Sequence, residues 1–463
     1  MPLDDFRRYG HQLVDWVADY LATVERRPVL ATVAPGDVRA GLPARAPDRP
    51  ESFEAVLADL DRVILPGITH WQHPGWFAYF PANSSPESIL GELVSAGLGV
   101  QGMLWSTSPA ATEVENLVLD WLVDLLGLPS SWRIDTGPGG GVLQMSASDS
   151  THTAMVVARE RAVRAGAEIG RLVVYSSSQA HSSVEKGARV AGFGHVRAIA
   201  VDEVHAMDPL VLAHAVQRDR DDGLVPCAVV STMGTTGTTA VDPVRSVAGV
   251  AQAHGIWHHV DAAYAGTAMI CPELRHLQDG VELVDSYAFN PHKWMFTNFD
   301  CSAFWVADRR ELISTLSVLP PYLREAASQS DVAVDYRDWH VPLGRRFRSL
   351  KLMFVLRSYG AEGIRHHVRE HIRLARGLSE RLAGDPRFAL VAPVPFGLVC
   401  FRHVDGDDAT RALVAAVNAT GRVHLTASEL PDGTTFVRVS VGQTGTVQRH
   451  VDALWALLDS LAG

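Results

Sequence analysis

Ile256-Trp257-His258-His259-Val260-Asp261-Ala262-Ala263-Tyr264 is a short apolar run that ends on a carboxylate. It is one of several such runs. Leu172-Val173-Val174-Tyr175 and residues 198–201, 227–231 and 303–306 are the clearest others, and helical patterns lie between them. Strands buried on both faces read as continuous apolar stretches, so this succession predicts a mostly parallel sheet covered by helices, an α/β core. A side chain at the C-terminal end of a parallel strand points into the crevice where α/β proteins place ligands. Asp261 stands at that position, where it can balance a positive charge on a ligand. Its plainer role would be to cap the next helix.

Outward from this core the chain divides into three. In residues 6–24 the apolar positions Phe6, Leu13, Val14, Trp16, Val17, Tyr20, Leu21 and Val24 recur at mostly three- and four-residue steps, which predicts an amphipathic helix with a face to bury. Pro28, Pro35, Pro43, Pro47 and Pro50 then remove backbone donors, so an extended connector follows, with a second helical stretch over 52–64. After Arg345 comes a long helical pattern, then strands near 388–391, 397–401 and 435–441 and a last helix ending near Leu461, a small α+β unit. The expected boundaries are 1–75 for the helical arm and connector, 76–345 for the large domain and 346–463 for the small one. A chain of 463 residues exceeds what one core supports, in keeping with that division.

Several classes are excluded by composition. The 41 Lys and Arg against 52 Asp and Glu give a net charge of -11 with no long basic run, which argues against nucleic acid and anionic membranes as partners. Cys227, Cys271, Cys301 and Cys400 stand far apart, so neither a disulfide framework nor a metal site is expected, and a reducing cytoplasm suits them. No stretch approaches the ~20 apolar residues of a membrane span, and the first residues carry no export pattern.

Two further motifs carry chemistry. In Asn290-Pro291-His292-Lys293-Trp294 a lysine stands among aromatic neighbours in what reads as a loop, where desolvation would favour its neutral, nucleophilic form. Taken alone, a surface lysine packed on a tryptophan is the commoner arrangement. Gly137-Pro138-Gly139-Gly140-Gly141 leads into Ser146-Ala147-Ser148-Asp149-Ser150-Thr151 and a helical run. Small residues that open a helix leave free N–H groups for a phosphate. The spacing fits neither a Walker loop nor a dinucleotide fingerprint. An ordinary turn with a capping serine would look the same.

Taken together these features resemble the pyridoxal-phosphate group II amino-acid decarboxylases, most closely the aromatic-L-amino-acid decarboxylases, and a bacterial source is expected. The likeness covers nearly the whole chain. It includes Tyr79-Phe80-Pro81, Ser106-Thr107-Ser108-Pro109, Gln179-Ala180-His181-Ser182-Ser183, Gly234-Thr235-Thr236, the stretch around Asp261, the Lys293 motif, Asn298-Phe299-Asp300-Cys301-Ser302 and the segment from Pro342 to Lys351. The resemblance implies an aspartate-aminotransferase-like fold (fold type I) and pyridoxal 5'-phosphate (PLP) held by Lys293 as a Schiff base. It further implies that Asp261 pairs with the pyridine nitrogen, His181 stacks on one ring face, Ala263 packs on the other and Thr236 sits beside the ring. Ala147, Ser148, Asn290 and His292 would hold the phosphate. Tyr322 matches the tyrosine that protonates the substrate carbon, where related aldehyde synthases usually carry phenylalanine.

Trp71, Tyr79, Phe80 and Pro81 match the substrate pocket, while Gln101, Met103 and Ala82 depart from the better-known animal enzymes. The implied unit is a homodimer with a shared active site. The implied reaction is decarboxylation of an aromatic amino acid. An aromatic aldehyde synthase, a decarboxylase of a non-aromatic amino acid and a non-catalytic binding protein are the alternatives.

Overall fold

The computed structural model describes residues 1–318 and 334–463. Its centre is a seven-stranded sheet in the order β1-β7-β6-β5-β4-β2-β3, made by β1 (Gly140–Gln144), β2 (Leu172–Ser177), β3 (His195–Ile199), β4 (Val225–Thr232), β5 (Trp257–Asp261), β6 (Ser286–Phe289) and β7 (Ser302–Val306). Neighbours from β6 through β5, β4 and β2 to β3 pair in parallel, whereas β7 runs antiparallel to both β6 and β1. Every residue of β2 and β5 is buried, the polar His258, His259 and Asp261 of β5 included, as strands covered on both faces require. The expected strand at 198–201 begins earlier, at His195.

Strand β1 carries no apolar run at its start because it is built on glycine. Gly141 lies opposite Trp305 of β7, and a Cβ there would come within 2.6 Å of the indole. Glycine lets the edge strand close over that ring. The last two glycines of the stretch, Gly140 and Gly141, therefore open the strand, and the helix that begins at Ala147 comes after it. Ser146 caps the helix Ala147–Arg164 by accepting the Asp149 N–H at 3.2 Å.

The helix Arg348–Ala383 breaks helical geometry at Gly360, where φ is +62°. Its first part packs on the helices Pro86–Leu98 and Pro109–Leu126, and the remainder on the small sheet. That sheet is antiparallel, β10-β11-β9-β8, with β8 (Phe388–Leu390), β9 (Leu398–His403), β10 (Thr426–Glu429) and β11 (Thr435–Ser440). Leu374, Leu378, Val399, Phe401, Val437 and Leu454 form its core, together with Phe77. Phe77 belongs there because the incoming chain bonds along the small sheet: the Phe77 N–H donates to His424 and its carbonyl accepts from Ser440.

The first helix, Leu3–Thr23, buries only Tyr9 and leaves Leu3, Phe6 and Val14 exposed. No helix among the described residues is long and apolar enough to cross a membrane.

Five buried histidines give the fold a pH dependence. Burial is the first cause in each case, and it pushes His258, His292 and His340 down to about 3 and His259 and His371 down to about 4. An unfolded imidazole titrates near 6.5, so below that pH the unfolded chain binds protons that the folded chain refuses. Each group then costs about 1.4 kcal/mol per pH unit until its folded value is reached. Asp242, raised by burial to about 6, acts in the opposite sense between about 3.8 and 6, and burial raises Asp120, Asp149 and Asp285 too, all below the range in which the histidines first lose stability. Calorimetry should show Tm level above pH 7 and falling steeply from pH 6.5 to 5. A Tm that held or rose on acidification would mean these rings are hydrated.

Candidate active site

The chain ends of the co-directed strands converge on one cavity of about 210 Å³. Ser146, Ala147 and Ser148 follow β1, and His181 and Ser183 follow β2. Thr232, Gly234 and Thr236 come from the end of β4, Asp261 and Ala263 from β5, and Asn290, His292 and Lys293 from beyond β6. This is the crevice that a parallel sheet provides. A larger cavity of about 370 Å³ lies between residues 25–28 and the small domain, ringed by Arg26, Arg27 and Arg422. Size does not decide between them: the larger one has no lysine and no strand-end carboxylate.

One side of the smaller cavity is an anion cradle. Ala147 and Ser148 are the first residues of their helix, so their N–H groups have no carbonyl a turn earlier and the helix dipole adds positive potential. His292 accepts the Cys301 N–H on Nδ1 at 3.0 Å. Its neutral ring therefore carries its proton on Nε2. Thr232 Oγ1 is a buried, unpartnered hydroxyl that a ligand would satisfy, and Asn290, whose Oδ1 is also unpartnered, could meet an anion only through its amide NH2.

Asp261 faces the middle of the cavity. One of its oxygens accepts the Ala263 N–H at 3.0 Å. His181 Nδ1 accepts the Ser183 N–H at 3.1 Å and lies 2.9 Å from the Ser183 hydroxyl, so the His181 proton also sits on Nε2. Burial pushes the His181 pKa below its ordinary value, with Asp261 opposing and Lys293 adding to the shift.

Lys293 is one of three lysines in the chain. Lys186 is exposed on the helix Ser183–Val190, and Lys351 is fully buried against Glu92 at 2.9 Å. Lys293 lies in a one-turn helix, Pro291–Trp294, and not in a loop as its sequence suggests. Burial depresses its pKa, Asp261 pulls it back up and Arg438 lowers it further. Its Nζ stands 5.3 Å from the centre of the Phe80 ring. Phe80 stacks on Tyr264 (4.0 Å, 12°) and Tyr264 on Trp294 (4.8 Å, 11°), which makes a flat, rigid wall.

Arg438 of β11 is missing from the sequence-based selection. It is buried, its guanidinium carbon lies 5.2 Å from the Phe80 ring centre, and it bonds the Gly237 carbonyl (3.0 Å), the Tyr79 carbonyl (3.3 Å) and the Thr426 hydroxyl (3.3 Å). It has no carboxylate partner among the described residues. A buried cation so placed calls for an anion. The signal available in the sequence was a lone arginine inside Phe436-Val437-Arg438-Val439-Ser440.

Of the residues expected around substrate, Phe80 lines the cavity and the others do not. Trp71 and Tyr79 stack with Trp76 in a half-open cluster beside it. Pro81 is buried against Gly442. Gln101 receives the Arg345 N–H, and the Met103 carbonyl receives that of Arg337, both away from the cavity. Tyr322 lies outside the described residues. No cluster able to hold a metal occurs among the described residues.

A strand-end carboxylate facing a desolvated lysine across a cavity with an anion cradle defines a site for a phosphorylated, ring-nitrogen aldehyde cofactor. The chain belongs to the pyridoxal-dependent decarboxylase family: the model of that conserved domain matches residues 35–404. Its cofactor is PLP, which these residues fit. The chain is 45% identical to phenylacetaldehyde synthase of Arabidopsis thaliana, over 100% of this chain and 96% of the other. It is 42% identical to aromatic-L-amino-acid decarboxylase of Sus scrofa, over 100% and 97%. The structure of Oryza sativa TDC with PLP and tryptamine superposes with a TM-score of 0.97 at 40% identity, covering 100% of this chain and 98% of that one. That the fold is type I is in keeping with this likeness. These relatives are from plants and a mammal, so the expectation of a bacterial source is not borne out.

Proposed function

We propose that this protein decarboxylates an aromatic L-amino acid to the arylalkylamine and carbon dioxide. The observation that carries the reading is the placement of Lys293 and Asp261 around one cavity walled by the Phe80–Tyr264–Trp294 stack. When bound, PLP supplies the electron sink that makes loss of carbon dioxide possible. Lys293 would hold it covalently. Asp261 keeps a proton on the ring nitrogen, and the Ala147 and Ser148 N–H groups, Asn290 and the His292 Nε2–H bind the phosphate. His181 and Ala263 enclose the ring from either side, with Thr236 beside it. Arg438 attracts the carboxylate of the incoming amino acid, and the flat wall suits an aromatic side chain. Tyr322 returns a proton to the α-carbon.

The exposed apolar face of Leu3–Thr23, with Leu90, Leu93, Val94 and Leu98 exposed on Pro86–Leu98, supports a homodimer in which Trp71, Tyr79, Gln101 and Met103 meet substrate at the interface, with Pro81 packed behind them. The reading retains the division at 75 and 345 and a cytoplasmic location, which suits four buried, unpaired cysteines.

The 45% identity to a phenylacetaldehyde synthase raises a second reading, in which oxygen and water convert the amino acid to aldehyde, carbon dioxide, ammonia and hydrogen peroxide. The hydroxyl of Tyr322 favours the first. The pure enzyme, sized as a dimer by light scattering, is given tryptophan, tyrosine, DOPA and phenylalanine in air and under nitrogen. Amine equal to carbon dioxide is expected, with Tyr322→Phe diverting part of the flux to aldehyde and peroxide in air alone. Aldehyde as the main wild-type product would establish the second reading, and turnover of acidic or aliphatic amino acids alone would remove both.

A further inference from the structure

We infer that Asn83 is a positioning residue for Lys293, pinning the backbone of the lysine's one-turn helix to the small domain. A helix of four residues cannot satisfy its own terminal carbonyls, and those of His292 and Lys293 have no donor within Pro291–Trp294. Asn83 supplies both. Its backbone N–H donates to the His292 carbonyl at 2.9 Å, and its side-chain Nδ2 donates to the Lys293 carbonyl. The same Nδ2 donates at 2.9 Å to the carbonyl of Gly442, which follows β11. The Thr444 hydroxyl donates to Asn83 Oδ1 at 2.6 Å. Reversing the amide would set its oxygen against two carbonyls, so its orientation is fixed by chemistry. Asn83 is 1% exposed, and its backbone N–H, its side-chain NH2 and its amide oxygen are all engaged by these partners. It touches neither the cavity nor the reacting atoms.

The consequence concerns where the Lys293 amine stands. The large domain fixes the start of the short helix through the Lys293 N–H, which bonds the Asn290 carbonyl at 3.0 Å, whereas Asn83 fixes its end. Without the amide, the end of the helix keeps the Asn83 N–H on His292, the Met295 N–H on Pro291 and the Trp294 indole on His371, but the link from the Lys293 carbonyl to the loop after β11 is lost. Because β11 also carries Arg438, that link sets the Lys293 amine and the Arg438 guanidinium around Phe80 in fixed relation.

This inference rests on the proposed role of Lys293 as the residue that holds PLP. Asn83→Ala is expected to lower kcat about tenfold with KM for the amino acid changed less than about twofold, the scale of a small misplacement of a reacting group. The Kd for PLP, read by fluorescence titration of the apoenzyme, should rise by a similar factor, and the pH midpoint of the visible band of the lysine-linked cofactor should move. A merely structural role would lower Tm and leave that midpoint in place. Thr444→Val, which removes only the hydroxyl that orients the amide, should reproduce these changes in smaller measure, and it decides the matter should Asn83→Ala not fold. Variants matching wild type in Kd and midpoint would overturn the inference. A wild-type enzyme with PLP bound to no lysine would instead overturn the reading beneath it.

Discussion

Lys293→Ala should abolish covalent attachment of the cofactor and reduce amine formation by on the order of 10³-fold or more, the scale reached when an enzyme loses its nucleophile. The chain offers few substitutes. Lys186 is exposed on the surface, and Lys351 is sealed against Glu92, with Arg346 competing for the same carboxylate. Neither lines the cavity. Burial and Arg438 favour the neutral amine of Lys293 while Asp261 opposes them, so wild-type Lys293 is poised to attack an aldehyde without being stripped of all charge stabilisation. Borohydride reduction followed by peptide mapping should place the cofactor on Lys293 alone, and Lys293→Ala should still bind PLP through the cradle, but reversibly and without the visible band of the linkage. Reduced cofactor on Lys186 or Lys351 would end the assignment.

The parts of this site that could be read in the sequence are those where burial and chemistry coincide on a short stretch. Strands β2 and β4 are mostly apolar runs and β5 is bracketed by Ile256, Trp257 and Val260, so their existence and the end-of-strand position of Asp261 can be read from pattern. Pattern records burial and not direction, which is why nothing in Ala303-Phe304-Trp305-Val306 distinguishes the antiparallel β7 from its parallel neighbours. Strand β1 was hidden by glycines whose reason, the indole of Trp305, lies 164 residues away in the chain. Asn83 and Arg438 were hidden in another way. Each is an unremarkable polar residue until folding brings residues 83, 293 and 442, or 79, 237 and 438, together. The family resemblance supplied the roles of His181 and Tyr322, which no local pattern separates from ordinary packing.

Asp261→Asn separates the shape of the site from its charge. The amide is nearly the size of the carboxylate and can still accept the Ala263 N–H through its oxygen, so the turn after β5 should survive. What disappears is the negative charge at the end of the strand, the one carboxylate among the described residues that line the cavity, which would hold a proton on the cofactor's ring nitrogen and so keep the ring able to accept electrons. Preorganised electrostatic stabilisation in a water-poor site is typically worth about 10² to 10³ in rate for a single group, and that is the expected fall in kcat. Attachment should persist, because Lys293 loses an influence that raises its pKa and its amine becomes more readily neutral. The variant should therefore trap cofactor with borohydride as fully as wild type does while decarboxylating far more slowly, the reverse of Lys293→Ala. Reconstitution with N-methylated PLP, whose ring charge needs no carboxylate to maintain it, should restore part of the lost rate to Asp261→Asn and none to Lys293→Ala. If Asp261→Asn turns over at the wild-type rate, the carboxylate serves the turn at Ala263 and some other group controls the ring.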